Sequence, residues 1–384
     1  MTQAMLRDVC VQSREQIRAG ARPDLKYIGL ESIEPGTGGF VEGELSKTPD
    51  DPRAVSFHFD ARHVLYGKLR PYLNKVAIPE FEGKCSTELI PLLPSAQLDR
   101  RYLAYFLRSP ATVQTVVGRT AGSRMPRADM NFLLDLEIPL PPLDEQRRIV
   151  DVLARAEGIV SLRREAQQKT AELIPALFLD LFGDPATNPK HWPVVPFESV
   201  IRFTRYGPRF PNREYSESLK GGRVLRTTDI KSDGTISADE APMLPMTEVE
   251  IEKYSLQPNT IVVTRTGATI GKVALYRKSD EPAVAGAYLI EIRLSEQVTP
   301  EFVLHLLMSQ YGQQKLTSGA RAVAQPNLNV PTIAAIPVPV PPVELQHQFA
   351  AKAEAVRSIA AQQSVALATA QSTFATLLHR AFAD

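Results

Sequence analysis

The chain has 384 residues, of which 43% are hydrophobic and 23% charged, which suits two or three domains of a soluble globular protein. No apolar run approaches the roughly 18 residues of a membrane span, and the N-terminal stretch carries charges where a secretory signal needs an apolar block. A net charge of +1 excludes bulk attraction to nucleic acid, so such binding has to rest on local patches. We therefore expect a cytoplasmic protein without membrane segments.

The first half of the chain is predicted to mix short strands with one helix. The runs VSFHF, HVLYG and KVAI indicate strands, and an amphipathic helix is predicted near 100–118. The proline cluster IPLPPLDEQ begins at Ile138 and ends a domain over 1–142. A long helix is predicted over 143–182, because a proline just upstream suits a helix start.

The second half repeats this plan. The runs TIVVTR, KVALYR and AYLIEIRL indicate strands, and an amphipathic helix is predicted near 300–317. The cluster VPVPPVELQ begins at Val338, which places it 338 − 138 = 200 residues after its first copy. Further upstream the offset becomes 197. We predict tandem, pseudo-repeated α+β domains over 1–142 and 183–342, with a second long helix over 343–384.

The two long helices are predicted to pack against each other. Positions spaced alternately by four and three residues are mainly apolar from Ile149 and again from Phe349, which is typical of a coiled coil. Neither helix has another long partner in the sequence, so we predict an antiparallel pair. Pro175 interrupts the first seam and is predicted to kink or break it. The alternative is that each helix packs on its own domain as ordinary core.

The glycine-containing stretch TRTGATIGKV does not fit a phosphate-binding loop. Three residues separate Gly267 from Gly271 where a P-loop needs four, and Val273 stands in place of the magnesium-binding Ser or Thr. A metal site is equally poorly supported, because Cys10 and Cys85 have no neighbouring ligands. We interpret both cysteines as buried thiols. A zinc site at the paired histidines 58 and 63 is kept as an alternative.

Basic and polar residues recur at matched places in both halves. One acid-free stretch covers 61–79 and its counterpart covers 261–278, while a second pair of clusters lies at 118–127 and 319–329. Arg and Lys neutralise phosphates, and Arg, Asn and Thr address base edges. The predicted DNA-contacting residues of the first half are Lys68, Arg70, Asn74, Lys75, Arg119, Arg124 and Arg127. Those of the second half are Arg265, Thr266, Thr269, Lys272, Arg321, Asn327 and Asn329.

Within this set we assign phosphate contacts to Lys68, Lys75 and Lys272. Base contacts are assigned to Arg70, Asn74, Arg124, Arg265, Thr266, Thr269 and Arg321. A third basic run covers 202–226, where seven basic residues face two acids. The alternative for any single patch is a charged surface that only contacts solvent. Solubility alone, however, does not require positive charge at matched places in both copies.

The stretch IPLPPLDEQRRIV followed by LFLDLFGDP, with the later echo VPVPPVELQ, resembles the specificity (S) subunit of type I restriction-modification systems. The resemblance covers essentially the whole chain. It implies two target-recognition domains separated by antiparallel helices, each domain reading one part of a split, asymmetric DNA target with a fixed gap. It also implies a subunit that is not itself an enzyme.

The resemblance further implies partner subunits. Two methyltransferase subunits would carry S-adenosylmethionine, and restriction subunits would use ATP and Mg, while this chain would bind no cofactor. Partner docking is expected at the helix starts, through Glu145, Gln146, Arg147 and Gln346. Because the second copy reads Glu-Leu-Gln where the first reads Asp-Glu-Gln, the two ends are expected to dock unequally. The alternatives are a type II-like or other phage-defence system, and an ATPase or nuclease using TGATIGK.

Overall fold

The computed structural model describes residues 2–18, 20–41, 43–45, 55–120, 124–210, 213, 215, 221–318 and 327–383. Over these residues no helix is both long enough and apolar enough to cross a membrane. The chain divides into two compact units. Unit 1 comprises Met1–Glu165 with Ser364–Asp384, and unit 2 comprises Ala166–Gln363. Each long helix therefore contributes to both units.

Unit 1 is a mixture of small sheets and short helices. Its strands are β1 Gln3–Met5, β2 Cys10–Gln12, β3 Gln16–Ile17, β4 Lys26–Ile28, β5 Ser56–Phe59, β6 Val64–Gly67, β7 Val76–Ala77, β8 Gly83–Ser86, β9 Leu89–Pro94 and β10 Glu137–Pro139. Its helices are α1 Leu6–Val9, α2 Arg100–Arg108, α3 Pro110–Val117, α4 Met130–Leu134 and the first part of α5 Leu143–Phe182. The strands form sheets in the orders β2-β9-β6-β7 and β3-β5-β8-β4, and β1 pairs with β10.

Unit 2 repeats this architecture. Its strands are β11 Val194–Pro196, β12 Ile201–Tyr206, β13 Gly221–Leu225, β14 Met243–Pro245, β15 Thr260–Thr264, β16 Val273–Tyr276, β17 Ala283–Ala285, β18 Leu289–Leu294 and β19 Pro337–Pro339. Its helices are α6 Glu248–Tyr254, α7 Pro300–Met308, α8 Gln310–Thr317, α9 Val330–Ala334 and the first part of α10 Val343–Phe382. The sheet orders are β12-β18-β15-β16 and β14-β13-β17, and β11 pairs with β19.

The duplication is visible in the strand pairing itself. Strand β6 lies between β9 and β7 with antiparallel pairing, and β15 lies between β18 and β16 in the same way. The parallel pair β4 and β8 has its counterpart in β13 and β17. Two α+β units that share this four-stranded sheet and this parallel pair confirm the predicted fold class, although their second sheets differ in strand number and order.

The single amphipathic helix predicted in each half is wrong, because each is two helices. In unit 1 the break falls at Ser109, whose Oγ accepts a hydrogen bond from the Thr112 N–H at 3.3 Å, and Pro110 occupies the first helical position. In unit 2 the Ser309 Oγ accepts from the Gly312 N–H at 3.2 Å. A serine that caps a new helix ends the preceding one, because the capping residue needs an extended backbone.

The long helices α5 and α10 pack antiparallel within each unit. In unit 1 the start of α5 and the end of α10 share a core that includes Leu153 and Leu378. In unit 2 the end of α5 meets the start of α10, and the rings of Phe178 and Phe349 are 5.7 Å apart. This arrangement confirms the predicted antiparallel pair of helices.

Helix α5 does not break at Pro175. The helix is continuous from residue 143 to 182, although a proline at this position cannot donate to the carbonyl of Ala171. On either side of it, Ile174 and Phe178 pack on the core of unit 2. This burial offsets the lost hydrogen bond and holds the turn in helical geometry.

Candidate nucleic-acid interface

Three distant segments of unit 1 meet at one polar surface, which we call ledge 1: residues 68–70, residue 88 and residues 126–128. The Lys68 N–H donates to the Glu88 carbonyl at 2.9 Å, and the Ala128 N–H donates to the Lys68 carbonyl at 2.8 Å. A bridge between Leu69 and Arg127 completes the join. The turn after strand β6 is therefore held by backbone bonds that leave its side chains free to differ.

Unit 2 builds the corresponding surface, ledge 2, from residues 265–267, residue 288 and residues 327–328. The Arg265 N–H donates to the Tyr288 carbonyl at 2.9 Å, and the Leu328 N–H donates to the Arg265 carbonyl at 2.8 Å. A bridge joins Thr266 to Asn327. The same backbone scaffold thus presents a different set of side chains in each unit.

On ledge 1 one acid organises two of the predicted basic residues. The Arg127 guanidinium bonds both carboxylate oxygens of Glu88, at 2.9 to 3.2 Å, and the Lys68 Nζ lies 4.0 Å from Glu88 Oε2. The hydrogen bonds with Glu88 raise the pKa of Arg127. Arg70 and Arg124 are exposed. Sequence reasoning missed Glu88, because it lies outside both basic stretches.

Ledge 2 combines a guanidinium with aromatic and amide groups. The Arg265 guanidinium lies 4.4 Å from the ring centroid of Tyr206, and its Nε donates to Asn327 Oδ1 at 3.2 Å. The ring of Tyr288 is 60% exposed next to them. Thr266 and Thr269 are half-buried in the same turn. Stacking and hydrogen bonding hold Arg265 in one orientation, which bidentate recognition of a base requires.

The glycine-containing loop of unit 2 is a turn, and its lysine does not face a phosphate site. Gly267 and Gly271 both have left-handed backbones, at φ 88° and 82°. The Lys272 Nζ donates to the Ile230 carbonyl at 3.0 Å. In unit 1 the matching Lys75 Nζ donates to the Leu30 carbonyl at 2.5 Å, and burial lowers its pKa. Both lysines form internal hydrogen bonds to backbone carbonyls, so the phosphate contacts predicted for them are corrected.

Two predicted DNA-contacting side chains also have structural partners. The Asn74 amide donates to the Arg108 carbonyl at 3.0 Å, and its left-handed backbone (φ 50°) is one that asparagine tolerates. The Asn329 Oδ1 accepts from the Thr332 N–H at 2.8 Å and caps helix α9. The predicted base contact of Asn74 and the predicted DNA contact of Asn329 are therefore corrected to roles in local structure. The guanidinium of Arg119 lies over the ring of Phe132 at 5.2 Å, and Arg321 is outside the described residues.

Most arginines of the third basic run are paired with acids, and several of these acids are distant in sequence. Arg205 bonds the buried Glu291, and Arg213 bonds Glu250. Arg226 bonds the buried Asp229 through both oxygens. The run 202–226 is therefore less positive in the fold than in the sequence.

A cleft of about 760 Å³ lies beside ledge 2. Its lining includes Arg209, Tyr215 and Tyr288. Arg209 is exposed and the rings of both tyrosines are more than half exposed. Exposed aromatic rings with a guanidinium provide a surface on which bases stack and phosphates are neutralised.

The two glutamines predicted to dock partners are buried and form internal hydrogen bonds. Gln146 is 0% exposed: its Oε1 accepts from the Asp99 N–H at 2.8 Å, and its Nε2 donates to the Gln97 and Pro141 carbonyls, each at 2.8 Å. Gln346 is also 0% exposed and makes the equivalent bonds in unit 2, to the Thr299 N–H at 2.7 Å and the Gln297 and Pro341 carbonyls. Their predicted docking role is therefore wrong, because neither side chain reaches the surface.

The neighbouring residues at the start of α5 do lie at the surface. Glu145 bonds Arg148 through both oxygens at 2.7 Å, and these bonds lower the pKa of Glu145. Arg147 Nη1 lies 3.5 Å from Asp144. Docking at Glu145 and Arg147 stays a prediction.

The paired histidines have protein partners of their own. His58 lies between Glu15 and Glu82, with ring nitrogen distances of 3.1 and 2.9 Å, and His63 lies 3.0 Å from Asp60. Among the residues the structure describes, no group of three or more His, Cys, Asp or Glu is arranged to hold a metal ion.

The sequence matches the family described as type I restriction modification DNA specificity domain over residues 63–172 and 210–363. The two matched regions fall on the two repeated halves and together cover more than half of the chain. The chain belongs to this family.

Two curated relatives are specificity subunits. The chain is 24% identical over 284 residues to the type I restriction enzyme MjaVIII specificity subunit of Methanocaldococcus jannaschii, covering 68% of this chain and 64% of the relative. It is 20% identical over 317 residues to the EcoKI specificity subunit of Escherichia coli K12, covering 76% of this chain and 66% of the relative. These alignments span slightly less than two thirds of the relatives' lengths.

Solved structures share the fold. The type I restriction-modification S subunit from M. genitalium superposes with a TM-score of 0.58 at 14% identity, over 100% of this chain and 96% of that one. A chain from a study of complex assembly and conformational transition in the type I R-M system gives a TM-score of 0.65 at 19% identity, over 99% and 97%. At these identities the likeness supports the architecture alone.

Proposed function

We propose that this chain is the DNA-recognition subunit of a type I restriction-modification complex, with each unit reading one part of an asymmetric, two-part target. The observation that carries this proposal is the pair of ledges. Both have the same backbone bonds, but one presents Arg127 with Glu88 and the other presents Arg265 with Asn327. A duplicated scaffold with divergent polar side chains suits two readers of different sequences.

The chemistry of each ledge suits base recognition. A carboxylate accepts a hydrogen bond from the cytosine amino group, an Arg recognises guanine through two bonds, and Asn pairs with adenine in the major groove. Ledge 1 offers Glu88 with Arg127 and the exposed Arg70, whereas ledge 2 offers Arg265 and Asn327. We attribute a constant gap between the two parts to α5 and α10, since two packed helices of 40 residues each are stiff.

The proposal assigns catalysis to other subunits. Two methyltransferase subunits would supply S-adenosylmethionine chemistry, and restriction subunits would use ATP and Mg. This chain would recognise DNA without acting as an enzyme. A cytoplasmic location belongs to the same proposal, since the DNA and the partner subunits are there.

Selection from random duplex DNA tests the function. The chain is co-purified with the methyltransferase encoded beside it, and the bound DNA pool is sequenced. We expect two short, unlike motifs at one fixed spacing. A single motif would show that one unit does not read bases, and an unselected pool would show that the duplication serves another purpose.

A further inference from the structure

Unit 2 contains a cavity of about 730 Å³ that neither ledge 2 nor the helix starts use. Its apolar wall includes Ile174, Pro175 and Phe178 from α5 with Met308 from α7, and Val356 lines it from α10. The volume lies within the roughly 300–1,000 Å³ typical of small-molecule sites. Phe178 is buried and rigidly packed, with ring contacts to Phe182, Phe302 and Phe349, so the wall is preformed.

At three of the lining positions the corresponding residue of unit 1 has a larger side chain. At an offset of 200, Ile174 corresponds to Phe374, His305 to Tyr105, and Met308 to Arg108. In unit 1 the rings of Tyr105 and Phe374 lie 6.4 Å apart, and the Tyr105 hydroxyl donates to Glu157 at 2.9 Å. Arg108 bonds the same Glu157 carboxylate. The duplication thus provides an internal comparison in which only unit 2 has the smaller side chains at these positions.

The basic groups near the cavity are already engaged. Arg357 bonds Glu301 and Glu354, and His305 Nε2 lies 3.1 Å from Glu301. Arg277 also pairs with Glu301. Two guanidiniums therefore face two carboxylates, and this cluster offers no net positive charge to a ligand.

Two carboxylates belong to the lining of the cavity. Asp184 and Asp233 both line it, and each uses Oδ1 for its own turn, toward the N–H of Ala186 and of Thr235 at 2.9 Å. Among the described residues neither carboxylate has an ion-pair partner. Negatively charged carboxylates beside an apolar wall favour a ligand that carries a positive charge on an apolar group.

We propose that this cavity binds a small organic cation, a primary ammonium or guanidinium carried on an aromatic or branched aliphatic group. The apolar part contacts Ile174, Phe178 and Met308, and the cationic nitrogen faces Asp233 and Asp184. The proposal is independent of DNA recognition, because no residue of ledge 2 lines the cavity. Failure of either proposal therefore leaves the other standing.

Three matched probes test the cavity on the full-length chain: 2-phenylethylammonium, neutral 2-phenylethanol and anionic 3-phenylpropionate. Affinities are measured by ligand-observed NMR titration at pH 7. We expect the ammonium to bind at least about threefold more tightly than the alcohol, and the carboxylate to bind weakest, because the carboxylates of Asp184 and Asp233 attract a cation and repel an anion with the modest strength of exposed charges. Equal affinities for the three probes would overturn the assignment of a cationic ligand.

Variants locate the site. Ile174→Phe, which copies unit 1, is expected to weaken phenylethylammonium binding by about tenfold or more, since it fills the apolar volume. Asp233→Asn keeps the turn acceptor but removes the charge, and it is expected to weaken only the ammonium, by about threefold. Asp151→Asn, an exposed acid on α5 outside the cavity, is the control. If Ile174→Phe does not fold, Ala360→Leu fills the cavity from α10. Unchanged binding in a folded filling variant refutes the site.

Discussion

Gln146→Ala should destabilise unit 1 strongly although the residue belongs to a sequence motif that reads as a docking surface. The side chain makes three hydrogen bonds of 2.8 Å with no exposure to solvent. Truncation leaves the Asp99 N–H and the carbonyls of Gln97 and Pro141 without these partners; the bond to Pro141 is buried and the other two are part-buried. An unsatisfied buried group costs about 1–3 kcal/mol and a group that water can reach costs less, so we expect a loss of about 2–4 kcal/mol in the free energy of unfolding.

Urea unfolding followed by circular dichroism measures this loss. Gln146→Glu is the informative companion, because a carboxylate still accepts from Asp99 but cannot donate to either carbonyl. Arg147→Ala, at an exposed neighbouring position, is the matched control and should leave the unfolding free energy unchanged. If Gln146→Ala unfolds within about 1 kcal/mol of the parent chain yet binds the methyltransferase less tightly, the packing explanation is refuted and the docking interpretation is restored.

Three further predictions concern charged residues. Lys272→Met should lower the free energy of unfolding by about 1–2 kcal/mol, because the Lys272 Nζ donates to the Ile230 carbonyl. The salt dependence of DNA binding should stay unchanged, and a shallower salt slope would contradict this prediction. Arg265→Ala should relax one base position of the target by about 1–3 kcal/mol, measured by competition between single-base variants, whereas a uniform loss over all sequences would assign it to phosphate. Burial opposes the ionisation of Glu301, but hydrogen bonds from His305 and Arg357 outweigh it and lower the Glu301 pKa to about 2. The ionised Glu301 therefore stabilises the fold fully at pH values above its unfolded pKa, and this contribution, up to about 3 kcal/mol, is lost as the pH falls from about 5 toward 2. Glu301→Gln should make the free energy of unfolding less dependent on pH over this window.

The helical framework could be predicted from the sequence because its signals are local and repeated. Both proline clusters are followed by helices that begin at residues 143 and 343, and the predicted seam positions Thr170 and Gln363 are hydrogen-bonded at 2.8 Å. The breaks between the shorter helices are also signalled locally, by Ser109 with Pro110 in unit 1 and by Ser309 in unit 2. A capping serine outweighs continued amphipathicity, since it satisfies the first free N–H groups of the new helix.

The candidate site was less predictable, because its charges meet only through tertiary structure. Glu88 lies 20 residues from Lys68 and 39 from Arg127, yet it pairs with both. The absence of Asp and Glu from a stretch of sequence therefore does not mean that its basic side chains lack acidic partners in the fold. The lysines at 75 and 272 show a second limit, since a basic residue repeated in two copies can be repeated for its hydrogen bond to the backbone.

The division of both long helices between the units has a consequence for synthesis of the chain. Unit 1 closes its core with the last turns of α10: the rings of Tyr102 and Phe382 lie 5.0 Å apart and are separated by 382 − 102 = 280 positions. Unit 2 ends at residue 363. During translation unit 1 is therefore begun first but completed after unit 2. Its apolar surface near Tyr102 stays uncovered until the end of α10 has been synthesised.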